Sequence, residues 1–139
     1  MVQLIVGKKG KGKTKQLLDK VNSEVKSISG NIVYLDKSTK HMYELNNKVR
    51  LIDVSQYMIE NSSEFVGFVC GILSQDHDLQ QMYFDSFLKI AALKDEELCT
   101  VIDKLSKVSQ TFNVDFILSV SLDETELPEN LKSMVIVSL

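Results

Sequence analysis

The feature that most constrains the fold is the stretch GKKGKGKT at residues 7–14, between an apolar run and an amphipathic segment. The apolar run, VQLIV, is typical of a buried strand. After the loop, apolar residues recur at the spacing of one helix face: Leu17, Leu18, Val21, Val25 and Ile28. This region therefore predicts a strand, a glycine-rich loop and a helix, in that order.

The loop matches the pattern G-x-x-x-x-G-K-[ST] without exception. Its glycines allow the backbone to approach a ligand closely, so that N–H groups can surround an anion. In this pattern Lys13 reaches the β- and γ-phosphates and the Thr14 hydroxyl binds Mg²⁺. The alternative is a basic surface loop. The pattern favours a phosphate site made of Gly7, Lys8, Lys9, Gly10, Lys11, Gly12, Lys13, Thr14 and Lys15.

Further along the chain, apolar runs alternate with helical patterns. We predict strands at residues 2–6, 32–36, 79–85, 114–121 and 134–139, and helices at residues 14–28, 65–73 and 98–112. Residues 49–53 could form a short additional strand, which this count leaves out. In the second helix Gly67 and Gly71 lie one turn apart, which predicts close packing. We expect one domain over residues 1–139, a three-layer α/β fold with a mostly parallel five-stranded sheet.

Composition places the chain among globular proteins without a membrane segment. Hydrophobic residues make up 44% and charged residues 25%, and the longest apolar run is too short to span a bilayer. We find no signal-peptide pattern and expect a cytoplasmic protein with reduced cysteines. Residues 1–50 carry 11 basic and 4 acidic side chains. No aromatic residue interleaves the lysines between Lys8 and Lys26, so nucleic acid is only a secondary interpretation.

Two aspartates are candidates for the carboxylate that a phosphate loop requires. Asp36 and Asp85 each follow an apolar run, as expected for an acid at the end of a strand. Such an acid holds Mg²⁺ beside the phosphates. From spacing alone, either residue could do so.

The motif and the order of elements resemble the RecA-like and AAA-like branch of P-loop NTPases. The resemblance covers nearly the whole chain, although only the loop is a highly specific motif. It implies that Thr14 and Asp85 lie on the metal side and that Ser119 or Ser121 senses the phosphate. It also implies ATP and Mg²⁺ as ligands.

The sequence departs from that branch after Asp85, where Ser86 replaces the usual glutamate. In RecA-like and twitching-motility ATPases an acid at the end of the second strand orients the attacking water. That resemblance implies Asp36 as the base, with Lys13 as the second catalytic residue. The chain most resembles small stand-alone bacterial P-loop proteins of the PilT-like kind.

The prediction is an ATP-binding P-loop protein with slow or partner-dependent Mg-ATPase activity. One alternative is a nucleotide-responsive binding or assembly module without turnover, and another is a kinase-like phosphotransferase acting on a small molecule. We expect a nucleoside triphosphate ligand, a homo-oligomer or protein partner, and no membrane contact. Arg50, the only arginine, is a candidate arginine finger, although an ordinary surface role is favoured. Asp76, His77 and Asp78 are interpreted as a polar loop in preference to a metal site.

Overall fold

A computed structural model describes all 139 residues as one six-stranded sheet with α-helices on both faces. The strands are β1 (Val2–Val6), β2 (Asn31–Asp36), β3 (Val49–Asp53), β4 (Leu79–Phe84), β5 (Asp115–Val120) and β6 (Val135–Ser138). The α-helices are α1 (Lys13–Glu24), α2 (Ser62–Gln75), α3 (Phe87–Ile90) and α4 (Leu98–Phe112). None of them has the length and apolar character needed to cross a membrane.

All strands run parallel, in the order β3-β2-β4-β5-β1-β6. The three-layer parallel α/β prediction is confirmed, but the count of five strands was wrong. The sixth strand is Val49–Asp53, which pairs in register with β2 from Ile32↔Val49 to Asp36↔Asp53. It lies at the sheet edge and is joined to β2 by a loop without an α-helix. A count based on alternating strands and helices therefore misses it.

Alternate residues of the strands build two separate cores, because successive side chains of a strand point to opposite faces. One face packs against α1 and holds the smaller cluster, which consists of Ile5, Leu17, Leu18, Val21, Ile32, Tyr34, Val49, Tyr83 and Ile117. The other face packs against α2 and α4. Four phenylalanines, Phe65, Phe84, Phe87 and Phe116, are fully buried there.

The helix α2 begins with a side-chain cap and presents two glycines to solvent. Asn61 accepts a hydrogen bond from the Glu64 N–H at 2.9 Å, as expected for a residue that caps a helix. A Cβ atom at Gly67 or Gly71 would meet no other atom within 4 Å. The expectation that these glycines permit close packing was therefore wrong.

Candidate functional site

The loop at residues 7–12 connects β1 to α1 at the carboxyl edge of the sheet. Gly12 immediately precedes α1 and adopts a left-handed conformation with φ 96° and ψ 24°, which favours glycine. No side chain caps α1, and its first turn contains no acidic residue. The positive end of the helix dipole therefore receives no negative side chain from α1 itself.

Lys13 differs from the other lysines of the loop because its side chain is buried. It is 8% exposed, and its Nζ donates to the Lys8 carbonyl oxygen at 3.1 Å. Burial lowers the pKa of Lys13, while the negative charge of Asp85 acts in the opposite direction. Lys8 lies 3.8 Å from Glu126, and Lys15 is paired with Asp19 along α1.

Asp85 directly follows β4 and is held by three hydroxyl groups. Its Oδ1 accepts hydrogen bonds from Thr14 at 3.1 Å and from Ser119 at 3.2 Å. Its Oδ2 accepts one from Tyr34 at 2.8 Å. These residues come from α1, β5 and β2, so the buried carboxylate joins three parts of the chain. Burial, followed by the charge of Asp85, raises the pKa of Tyr34 far above its usual range, which keeps this phenol a donor.

Asp36 ends β2, is 2% exposed and has one unsatisfied oxygen. Its Oδ1 accepts a hydrogen bond from the Lys37 N–H at 2.7 Å, whereas Oδ2 has no partner. Burial is the largest cause that raises the pKa of Asp36, and the charge of Asp85 adds to it. The Lys37 backbone bond and the positive charges of His41 and Lys37 oppose the shift, and the resulting pKa is about 6.

His41 lies in the loop after β2 and faces the same pair of aspartates. One of its ring nitrogens and one carboxylate oxygen each of Asp36 and Asp85 lie within 4.8 Å of one another. Its Nδ1 is 2.6 Å from the Glu44 Oε2. The edge of the sheet therefore combines carboxylates with an imidazole whose orientation is fixed by a third acid.

A cavity of about 410 Å³ opens between the loop and Asp85. Its volume suits a small ligand. The predicted site residues that line this cavity are Lys9, Gly10, Gly12, Lys13, Thr14, Asp85, Ser119 and Ser121. Gly7, Lys8, Lys11, Lys15 and Asp36 are not part of its lining. Lys37, Ser86, Leu88 and Lys89 complete the wall.

Tyr34 and His41 belong to the site but were not among the residues predicted from the sequence. Tyr34 precedes Asp36 by two residues, so the alternation of β2 places both on one face. That signal was available and could have identified the tyrosine. His41 lies in an irregular loop, where no periodicity predicts the direction of a side chain.

The remaining candidates lie at the other end of the sheet. Arg50 Nη1 is 3.1 Å from the Asp76 Oδ2, and Asp76 also accepts hydrogen bonds from Asn31. Asp78 donates its N–H to the same Asp76 side chain, and His77 is exposed. These contacts agree with a structural polar loop before β4.

No family model matches the sequence, and no curated protein matches it. Among solved structures, the chain is similar to the flagellar accessory protein FlaH from Methanocaldococcus jannaschii, with a TM-score of 0.58 and 13% identity. The match covers 95% of this chain but only 65% of the FlaH chain. At this identity the similarity concerns the fold alone, and the parallel three-layer architecture is consistent with a RecA-like fold.

Proposed function

We propose that this protein binds a nucleoside triphosphate, with ATP as the expected nucleotide, at the loop of residues 7–14. The observation that carries the proposal is the contact between Thr14 and Asp85, at 3.1 Å across 71 residues of sequence. It joins the threonine of a G-x-x-x-x-G-K-[ST] loop to an acid at the end of another strand, and both line the same cavity. Loops of this kind bind phosphates through their N–H groups and the helix dipole.

Lys13 would contact the phosphates of the nucleotide. Its side chain is already largely buried at the cavity, and its ammonium is held by a single carbonyl oxygen of the same loop. A desolvated cation interacts more strongly with an anion than an exposed one, because the local dielectric constant is lower. Gly12 supports this role, since its left-handed conformation starts α1 without a side chain between the helix and the ligand.

The residues present also fit Mg²⁺, which prefers oxygen ligands and retains several waters. The Thr14 hydroxyl would bind the ion directly and Asp85 would hold it through water. When bound, Mg²⁺ would neutralise phosphate charge. Tyr34 and Ser119 would keep the Asp85 carboxylate oriented through the bonds described above.

The strand order favours an ATPase of the RecA-like type over a kinase-like enzyme. The strand β5 lies between β1, which precedes the loop, and β4, which precedes Asp85. This agrees with the resemblance that implies Asp85 as the metal acid and a β5 serine as the sensor. The kinase-like alternative requires an arginine-rich lid, and the single arginine of the chain, Arg50, forms an ion pair with Asp76.

Asp36 is our candidate for the base that would activate water. Its pKa of about 6 is near the operating range of a general base, and its buried Oδ2 has no hydrogen-bond partner. Ser86 occupies the position where a glutamate would orient the water, so we propose slow turnover or turnover that depends on a partner. The second candidate function, a nucleotide-responsive assembly module, is favoured by the same serine.

Calorimetric titration with ATP, ADP and GTP, with and without Mg²⁺, tests the proposal. Lys13→Ala should weaken Mg-ATP binding by about 100-fold, since a bond between charged groups contributes about 1.5–3 kcal/mol. Lys11→Ala is the matched control, because Lys11 belongs to the same loop but is exposed and lies outside the cavity lining. If folded wild-type protein binds no nucleotide, or if both variants bind as tightly as wild type, the proposal is wrong.

A further inference from the structure

Three potential metal ligands meet at the carboxyl edge of the sheet. Asp36 ends β2, His41 follows it in the next loop, and Asp85 follows β4. One ligand atom from each lies within 4.8 Å of the other two. Metal ligands at about 2.0–2.2 Å from one ion are themselves roughly 3–4 Å apart, so small side-chain movements would complete the set.

The unpartnered carboxylate oxygen of Asp36 is an independent indication that a ligand binds here. Its exposed fraction is only 2%, and its Oδ2 has no hydrogen-bond partner. A buried, unpaired carboxylate oxygen is costly. None of the ion pairs in the structure involves Asp36 or Asp85, and Lys13 donates to a backbone oxygen instead. Two adjacent acids therefore lack a direct cationic partner.

His41 has the arrangement that metal-binding histidines usually show. Its Nδ1 lies 2.6 Å from the Glu44 Oε2, which leaves Nε2 available as a ligand. Metal-bound histidines typically donate their other ring N–H to a carboxylate, which fixes the tautomer and the ring orientation. Its side chain is 24% exposed, so the ring is partly shielded and still accessible to an ion.

We propose that Asp36, His41 and Asp85 form a binding site for a divalent transition-metal ion of the Zn²⁺ or Co²⁺ type. Imidazole and carboxylate ligands together suit these ions, whereas Mg²⁺ prefers oxygen ligands alone. This ion is distinct from the Mg²⁺ expected at Thr14, although Asp85 borders both positions. Three protein ligands leave at least one coordination position open.

Binding of Co²⁺ and Zn²⁺ to untagged protein without nucleotide tests the site. Calorimetry should give one equivalent of Zn²⁺, and Co²⁺ should add visible absorption bands without the intense thiolate band that Cys70 or Cys99 would produce. His41→Ala should weaken Zn²⁺ binding at least ten-fold, because it removes a ligand. Glu44→Gln should weaken it about ten-fold, because outer partners of a ligand commonly contribute 10–100-fold in affinity.

His77→Ala is the matched control, since His77 is the only other histidine and is exposed in the loop before β4. It should bind Zn²⁺ as wild type does. Asp36→Asn should weaken binding at least ten-fold and provides a second variant if His41→Ala does not fold. Circular dichroism verifies the fold of each variant.

Two results would overturn the proposal. One is the absence of stoichiometric Zn²⁺ binding to the folded wild-type protein. The other is equal affinity in wild type, His41→Ala and Asp36→Asn. Because no nucleotide is present, the outcome is independent of the proposed function. His41→Ala should also retain Mg-ATP binding, whereas Lys13→Ala should weaken Mg-ATP binding about 100-fold and retain Zn²⁺ binding.

Discussion

The site makes the stability of the protein depend on pH, because the ionised form of Asp36 destabilises the folded state. Its pKa rises from 3.8 to about 6, first because of burial and then because of the charge of Asp85. The folded protein therefore holds this proton more tightly than the unfolded chain. By linkage, the contribution of Asp36 to the free energy of unfolding falls as pH rises from about 4 through 6.

The side chain introduced by Asp36→Asn cannot ionise, so this variant should not lose free energy of unfolding at this position as the pH rises. One pKa unit corresponds to about 1.36 kcal/mol. The folded and unfolded pKa values of Asp36 therefore lower the free energy of unfolding of wild type by about 1 kcal/mol at pH 4.5 and about 3 kcal/mol at pH 7.5. The introduced asparagine can still accept the Lys37 N–H bond through its amide oxygen. Between these two pH values, we expect the free energy of unfolding of the variant to rise by about 2 kcal/mol relative to that of wild type.

Urea unfolding of both proteins at several pH values, with a chelator present, measures this difference. Comparing the two proteins cancels the titration of the other carboxylates. Asp53→Asn is the control, because Asp53 lies beside Asp36 in register on β3 and its capping of Ser55 can be retained by asparagine. Its stability relative to wild type should change by less than about 1 kcal/mol. A difference between Asp36→Asn and wild type that stays constant with pH would refute the reasoning.

Three other measurements test the helix α2, the support of Asp85 and the expected turnover. Gly67→Ala and Gly71→Ala should each raise the free energy of unfolding by about 0.5–1 kcal/mol in urea titrations, because both glycines are exposed within α2 and lack neighbours; a loss of stability would contradict this. Tyr34→Phe should lower stability by about 1.5–3 kcal/mol, since it removes a buried donor to the Asp85 carboxylate, and an unchanged urea midpoint would exclude that role. Phosphate release by the isolated protein at saturating Mg-ATP should stay well below roughly 10 s⁻¹, the median for enzymes, and a faster rate would rule out partner-dependent turnover.

The first third of the chain was the most predictable part. The apolar strand, the loop and the helix are local features, and the periodicity of residues 14–28 reflects the buried face of α1, which contains Leu17, Leu18 and Val21. The helix itself ends at Glu24. Asp85 could be found for a related reason, because a polar residue after a buried parallel strand must lie at the edge where the strands end.

Other parts of the site depend on contacts that no local pattern encodes. The edge strand β3 is half exposed and contains Arg50, so its apolar signal is weak. The position of His41 depends on a loop between two strands, and its neighbour Asp85 is distant in sequence. The pattern identifies Lys13 among the lysines of the loop, but which of the others line the cavity follows from the path of the loop.

The four central strands, β2, β4, β5 and β1, also link the site to the folding of the chain as a whole. Their residues span positions 2 to 120, and each neighbour in the sheet is distant in sequence. Parallel sheets of this kind have high contact order and form slowly, because long loops must close before the pairings stabilise them. No short fragment can reproduce the Thr14, Tyr34, Ser119 and Asp85 cluster. A ligand held there would stabilise the native state by mass action, so resistance to proteolysis would report its occupancy.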